Sequence, residues 1–220
     1  MERKQTIITY ITSILLALVL LILAVKITLN FRPLYYFDIH FLKITETNNM
    51  SATEIKGNYD ALITYLTTHK DTKLVLPTLP MSVEGEIHFE DVKNIFLTLD
   101  YVMYLSLVLS IPSIIYLYKQ KAYHFYKLCY RFLLGLPLLL LFPLLIDFNT
   151  FFTIFHKIAF TNDYWLFDPE TDPIINLLPQ RFFMHSALLI LIIIIIESIL
   201  LSFLYRYHIS SYVKKTIKSK

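Results

Sequence analysis

The chain has 220 residues, of which 56% are hydrophobic and only three are glycine, and its formal net charge is +3. This composition, with a mean hydropathy of +0.56, indicates a protein embedded in a bilayer. The basic residues lie beside the ends of apolar runs, where anionic lipid attracts them, so the charge does not indicate a nucleic-acid partner.

Four apolar runs are long enough to cross a bilayer as helices, at about residues 7–25, 95–118, 128–146 and 182–205. At about 1.5 Å per residue the shortest covers roughly 28 Å, close to the hydrocarbon thickness. Because bilayer hydrocarbon offers no partner to exposed backbone groups, each run is predicted to be helical. The predicted fold class is all-α integral membrane, with four transmembrane helices in a single membrane domain over residues 1–220.

Charge orients these helices. The N-terminal segment, the short loop after the second run and the C-terminal segment carry eleven basic residues and one acid, whereas the other two connecting segments carry nine basic residues and fifteen acids. The excess of Lys and Arg places both termini in the cytoplasm. Residues 26–94 and 147–181 are then predicted to be extracytoplasmic.

The first outer segment, residues 26–94, is long enough to form a small subdomain of its own. It contains one apolar helical face with spacings of three, one and three, made by Tyr59, Leu62, Ile63 and Leu66. His88 and Asp91, three residues apart, would share a helical face. Asp91 could orient the His88 ring and fix its tautomer, or could be a first-turn acid favoured by the helix dipole. His88 taken alone could be an interfacial surface histidine.

The second outer segment, residues 147–181, opens with an aromatic helical face made by Phe148, Phe151, Phe152, Phe155 and His156. This pattern favours an interfacial or partly re-entrant helix, and Trp165 fits the aromatic belt at the same depth. Desolvation beside the aromatic rings would lower the pKa of His156 and keep it neutral, as a general base requires. The alternative is a ring that snorkels among aromatics.

Weaker candidates lie at the end of the chain. Arg181 could hold a lipid headgroup or anchor the helix, and His185 could join the same site or cap the interface. Glu197 lies near the middle of the last run, where an acid is costly and often functional. The spacing of His88, Asp91 and His156 matches no standard zinc pattern, so no metal and no cofactor is expected. Without an evident Ser or Cys nucleophile, general-base chemistry with oxyanion stabilisation is the simpler mechanism.

Five short motifs together resemble the lipoprotein intramolecular transacylase (Lit) family. They are NYD at 58–60, HFEDV at 88–92, FH at 155–156, NDYW at 162–165 and FDP at 167–169. Their order against the four predicted spans also matches, so the resemblance covers nearly the whole chain. It implies a multi-pass protein of the bacterial cytoplasmic membrane, with its active site on the extracytoplasmic side.

The resemblance also implies a reaction. The sn-2 acyl chain of an S-diacylglyceryl cysteine would move to the α-amino group of that cysteine, giving lyso-form lipoprotein. His88 and His156 would be catalytic, supported by Asp91, Asn162, Trp165, Asp168 and Arg181. The partners would be a diacylated lipoprotein and membrane lipids, with the oligomeric state open. Two alternatives remain at this point: a non-catalytic lipid- or lipoprotein-binding sensor, and a membrane metalloprotease.

Overall fold

The computed structural model describes residues 3–218, except the side chains of residues 136, 140, 142–145 and 212–218. Helices make up most of this range: α1 Arg3–Asn30, α2 Arg32–Phe41, α3 Ile44–Asn48, α4 Ala52–Thr67, α5 Val83–Lys119, α6 His124–Ile146, α7 Phe148–Ala159, α8 Ile174–Leu177 and α9 Gln180–Lys218. Within the described range there is no strand, which confirms the predicted all-α class.

Three of these helices are long and apolar enough to cross a membrane: α1, α5 and the Gln180–Ser211 part of α9. They contain three of the four predicted spans. The remaining one, at about residues 128–146, is helical within α6. Several of its side chains lie outside the described residues, so the count of four spans stays a prediction.

The described chain divides into two compact units. Unit 1 is drawn from Met1–Lys26, Asp100–Phe142 and Ile190–Lys220, and unit 2 from Ile27–Leu99 and Pro143–Leu189. Apart from Lys26, both predicted outer segments fall within unit 2. Unit 1 buries an apolar cluster that includes Leu117, Phe125 and Ile194, and it leaves many large apolar side chains exposed on its long helices, as a bilayer-facing surface requires.

Unit 2 is built around aromatic side chains from four helices. Tyr35 of α2 stacks on Tyr59 of α4 at 3.7 Å between ring centroids, and Phe182 of α9 meets Tyr35 edge-on at 5.1 Å. The buried Tyr35 hydroxyl donates to the Leu177 carbonyl oxygen of α8 at 2.8 Å, so its polar end is satisfied. Phe89 of α5 belongs to the same cluster, which therefore holds the first turns of α5 in place.

Helix α4 shows how local sequence defines these elements. Its N-cap is Ser51, whose side chain accepts from the Glu54 backbone N–H while the Glu54 carboxylate accepts from the Ser51 N–H, a reciprocal capping box. Four of its side chains were predicted to share a buried face, and all four are buried in the structure: Tyr59, Leu62, Ile63 and Leu66. The helical face predicted from these spacings is confirmed.

Candidate active site

His88 lies in the second turn of α5, and the start of that helix is held by Asp172. The Asp172 carboxylate accepts from the Ser82 backbone N–H at 2.7 Å, and the Ser82 hydroxyl accepts from the Gly85 N–H at 2.9 Å. A Cβ atom on Gly85 would lie 2.3 Å from Asp172 Oδ1. Only glycine at position 85 permits this close approach, so the residue contributes to the placement of His88 one turn later.

The His88 ring is packed among aromatic side chains. The residue is only 5% exposed, and its ring meets Phe160 and Phe167 edge-on at centroid distances of 4.8 and 5.2 Å. His88 Nδ1 is buried and has no hydrogen-bond partner among the described residues. A charged ring in such a place would be poorly solvated, so these surroundings favour a neutral imidazole whose polar edge is available to a substrate.

The spacing of His88 and Asp91 suggested that Asp91 could orient the His88 ring, but the Asp91 carboxylate has another partner. Within the described structure it makes no hydrogen bond to His88; its carboxylate instead accepts from the Asn162 amide at 3.0 Å. The Asn162 side-chain oxygen in turn accepts from the Tyr164 backbone N–H at 3.1 Å. Asp91 therefore anchors the loop that carries Trp165 and Phe167, whose rings contact His156 and His88 respectively.

His156 lies near the C-terminal end of α7, a helix capped by Asp147, whose carboxylate accepts from the Thr150 backbone N–H. His156 Nδ1 lies 2.7 Å from the Phe152 carbonyl oxygen. A carbonyl only accepts, so Nδ1 carries the proton and the neutral ring presents its lone pair on Nε2. Burial lowers the pKa of His156 below its ordinary value, although the hydrogen bond to Phe152 acts in the opposite direction.

The structure brings the two imidazoles together. The ring centroids of His88 and His156 are 6.2 Å apart, with 30° between the planes. Phe160 contacts both rings, and the indole of Trp165 lies 4.9 Å from the His156 ring. A neutral base, a second imidazole and an indole therefore meet in one aromatic pocket within unit 2. Such a group can move protons and donate hydrogen bonds to an oxyanion.

A cavity of about 620 Å³ lies beside His156. Its walls are half apolar, mostly aromatic, and half polar, formed by Phe152, Thr153, Lys157, Asp163, Trp165, Leu166, Phe167 and Gln180. Phe152 and Trp165 are also the two rings closest to the His156 imidazole, at 4.0 and 4.9 Å. The mixed lining of this cavity, formed in part by rings that pack on His156, suits a substrate with both apolar and polar parts.

Comparison with known proteins decides the family. The family model described as "Lipoprotein intramolecular transacylase Lit" matches residues 10–183. The chain belongs to the Lit family. It is therefore an acyltransferase, and the alternative predictions of a non-catalytic sensor and of a protease give way to an enzyme of this class.

Solved structures agree with the Lit assignment. The membrane integral lipoprotein intramolecular transacylase Lit from Bacillus cereus is 43% identical, covers 97% of this chain and 100% of its own, and superposes with a TM-score of 0.94. Two variants of that enzyme, each with one histidine replaced, match with TM-scores of 0.87 and 0.88 at 44% and 43% identity. They cover 99% and 96% of this chain and 95% and 96% of their own. A comparison with curated proteins gives no match. The similarity to the membrane integral enzyme from Bacillus cereus shows that the chain is an integral membrane protein.

The other predicted supporting residues of this Lit-family chain, Asp168 and Arg181, make no hydrogen bond to His88 or His156 within the described structure. Asp168 is exposed and closes its own turn, accepting from the Glu170 and Asp172 backbone N–H groups, so it presents Asp172 to α5. Arg181 is exposed in the first turn of α9. Glu197 belongs to unit 1, where its Oε2 is buried without a hydrogen-bond partner among the described residues.

His185 has a partner that the sequence did not reveal. Its Nδ1 donates to both oxygens of Asp38, at 2.8 and 3.0 Å, and Asp38 is fully buried in α2. The ring lies 5.9 Å from the Phe41 ring. The described residues contain no group of three or more His, Cys, Asp or Glu that could hold a metal ion.

Proposed function

We propose that this enzyme moves the sn-2 acyl chain of an S-diacylglyceryl cysteine to the α-amino group of the same residue, giving lyso-form lipoprotein. The observation that carries the proposal is the pair of buried imidazoles, His88 and His156, 6.2 Å apart beside an aromatic and polar cavity. Transfer from oxygen to nitrogen within one molecule needs a proton acceptor, an oxyanion donor and a proton donor for the leaving alkoxide. It needs no nucleophilic side chain.

His156 is the base in this scheme. The α-ammonium of the substrate has a pKa of about 8, so most of it is protonated at neutral pH and must lose a proton before attack. With Nδ1 committed to the Phe152 carbonyl, Nε2 is the atom that accepts this proton. Because burial keeps the ring neutral, the acceptor is ready when the substrate arrives.

His88 is the oxyanion or leaving-group partner. The free amine attacks the ester carbonyl, the new N–C bond forms, and collapse of the tetrahedral intermediate breaks the C–O bond to glycerol. A neutral imidazole can donate a hydrogen bond to the oxyanion or a proton to the departing glycerol oxygen. Donor and acceptor belong to one tethered molecule, so effective molarity supplies much of the rate.

The membrane arrangement belongs to the same proposal: four transmembrane helices, both termini in the cytoplasm and the site on the extracytoplasmic side. Helix α7 is its interfacial helix. The side of α7 that carries Ile154, Phe155 and Ile158 is apolar and exposed, with Ile158 81% exposed, while His156 is buried. An exposed apolar face beside Lys157 supports a helix lying in the headgroup region, the depth at which lipid esters are found.

The test is the position of one acyl chain. A lipoprotein is isolated from bacteria that lack other N-acylation, with and without this enzyme, and its N-terminal peptide is fragmented in a mass spectrometer. Intact mass stays the same because the reaction is an isomerisation. We expect one acyl chain on nitrogen with the wild type and none with His156→Ala, while the exposed His40→Gln variant converts normally. A wild-type peptide with both chains still on glycerol would overturn the proposal.

A further inference from the structure

Trp165 has a buried polar atom that the scheme above does not use. Its indole Nε1 is shielded from solvent and has no hydrogen-bond acceptor among the described residues. An indole N–H is a donor only, and burying it without an acceptor destabilises the folded protein. Buried unsatisfied donors are rare in native proteins, and one beside a reactive group calls for an acceptor supplied by a ligand.

The surrounding contacts hold the indole in place. The loop before it is tied to α5 by the hydrogen bond between Asn162 and Asp91, and the loop is closed by a hydrogen bond from the Leu166 N–H to the Asp163 carbonyl at 3.0 Å. The ring packs against His156 and also lines the 620 Å³ cavity. The indole is therefore held next to the base, and its ring forms part of the cavity wall.

We propose that Trp165 is a further catalytic residue, whose indole N–H donates to the ester carbonyl oxygen of the substrate and stabilises the oxyanion. This inference rests on the proposed function and assigns the oxyanion and the leaving glycerol oxygen to different residues. An indole N–H keeps its proton throughout, so it can hold an oxyanion but cannot protonate an alkoxide. An imidazole can do both, so Trp165 at the oxyanion leaves His88 to protonate the glycerol oxygen.

The protons then balance. The α-ammonium has three N–H hydrogens and the amide product has one, so two protons leave nitrogen. His156 takes the first and releases it to solvent before attack, and it takes the second as the C–O bond breaks. His88 gives its proton to the glycerol oxygen. Transfer of one proton from His156 to His88 restores both rings, and Trp165 ends as it began.

The experiment uses the purified full-length enzyme in lipid bilayers with a synthetic diacylglyceryl-cysteine peptide. We expect Trp165→Phe, which keeps an aromatic ring but lacks the N–H, to lower kcat by about 10²–10³-fold, the usual effect of removing one oxyanion donor. KM should stay within about threefold, because the hydrogen bond to the neutral ester carbonyl is much weaker than the one to the oxyanion. The matched control, Tyr164→Phe in the adjacent exposed ring, should keep wild-type kcat.

A second measurement covers the case in which Trp165→Phe does not fold. Trp165 is the only tryptophan in the chain, so growth on 5-fluorotryptophan changes this position alone. Fluorine makes the indole N–H more acidic without removing it, and a donor to an oxyanion should then raise kcat. A kcat that is unchanged or lower would contradict the proposal.

Two results distinguish a failure of the proposed role of Trp165 from a failure of the proposed reaction. If Trp165→Phe converts the peptide within about threefold of the wild-type kcat, or loses activity through KM alone, Trp165 is a packing residue and only this inference fails. If wild-type enzyme in bilayers leaves both acyl chains on glycerol, the proposed reaction itself fails.

Discussion

Unit 2 contains two differently built histidine sites. His185 donates to both oxygens of the fully buried Asp38, and its other described ring contact is with Phe41. Among the described residues His88 and His156 make no hydrogen bond to a carboxylate. Their rings lie beside each other, and His156 packs against the indole of Trp165, which lines a cavity. The Asp38–His185 pair has the arrangement of an activated general base, because a carboxylate fixes the tautomer of the ring.

The difference shows that a carboxylate partner alone does not mark the reacting histidine. At the His88 and His156 site, two buried polar atoms have no partner among the described residues, His88 Nδ1 and Trp165 Nε1. At the Asp38–His185 pair the buried carboxylate is satisfied by the ring. Unsatisfied groups beside a cavity are available to a substrate, whereas a satisfied buried pair contributes to the fold.

The largest effect should come from removing the base. His156→Gln keeps a polar side chain of similar reach but cannot accept a proton at neutral pH. Conversion of the diacylglyceryl peptide should fall by about 10²–10⁴-fold in kcat, the usual contribution of a general base. Thermal unfolding of the purified variant checks that the fold persists. Wild-type kcat in folded His156→Gln would remove His156 from the mechanism.

Breaking the other pair should affect stability instead. His185→Ala leaves the Asp38 carboxylate buried without its partner, which should lower the free energy of unfolding by about 3 kcal/mol. The activity of the molecules that remain folded should be close to that of the wild type. Unfolding curves in detergent measure the first quantity, and kcat per folded molecule measures the second. His185→Gln, which retains a donor, should recover part of the stability.

A smaller effect is expected at the start of α5. Gly85→Ala places a Cβ 2.3 Å from Asp172 Oδ1, so either the carboxylate or the helix must move. Overpacking of this kind costs about 1–3 kcal/mol of stability. Because His88 lies one turn further along, kcat should also fall, by about tenfold. Serine at position 82 offers a comparison: Ser82→Ala loses one cap hydrogen bond without a clash, so its kcat should fall less.

The smallest expected effect is a pH-dependent change in the fluorescence of Trp165. Protonated imidazole quenches indole fluorescence, so the emission of Trp165 should fall with acid as His156 ionises. The pKa of His156 is lowered by burial, so the midpoint should lie below about 6.5, and His156→Gln should abolish it. The folded state binds fewer protons than the unfolded state in that window, so stability should also fall as pH falls from about 6.5. A midpoint above 6.5 would contradict the burial argument.

Much of the fold could be predicted because its signals are local. Four apolar runs predicted spanning helices, and three of them lie in helices long and apolar enough to cross a membrane. Spacings of three, one and three predicted the apolar face of α4, which is buried. The packing of α2 and α8 against α4 was not predicted. The ring stack of Tyr35 on Tyr59 joins residues from separate helices, and no short pattern encodes it.

The site was only partly predictable for the same reason. His88 and His156 were selected by motif and by spacing, and the structure brings their rings together. Asp91 and His185 bond to residues distant in sequence, Asn162 and Asp38, and spacing along one helix encodes neither partner. The N–H of Trp165 is unpaired because no hydrogen-bond acceptor of the described residues lies within reach. Only three-dimensional packing determines this.

The most direct test compares the two histidine sites in one preparation. His156→Gln and His185→Gln enzymes are incorporated into identical bilayers with the diacylglyceryl peptide, and fragmentation locates each acyl chain. We expect His156→Gln to leave both chains on glycerol while His185→Gln moves one to nitrogen. Conversion by His156→Gln together with failure of folded His185→Gln would contradict it and would assign the chemistry to the Asp38–His185 pair.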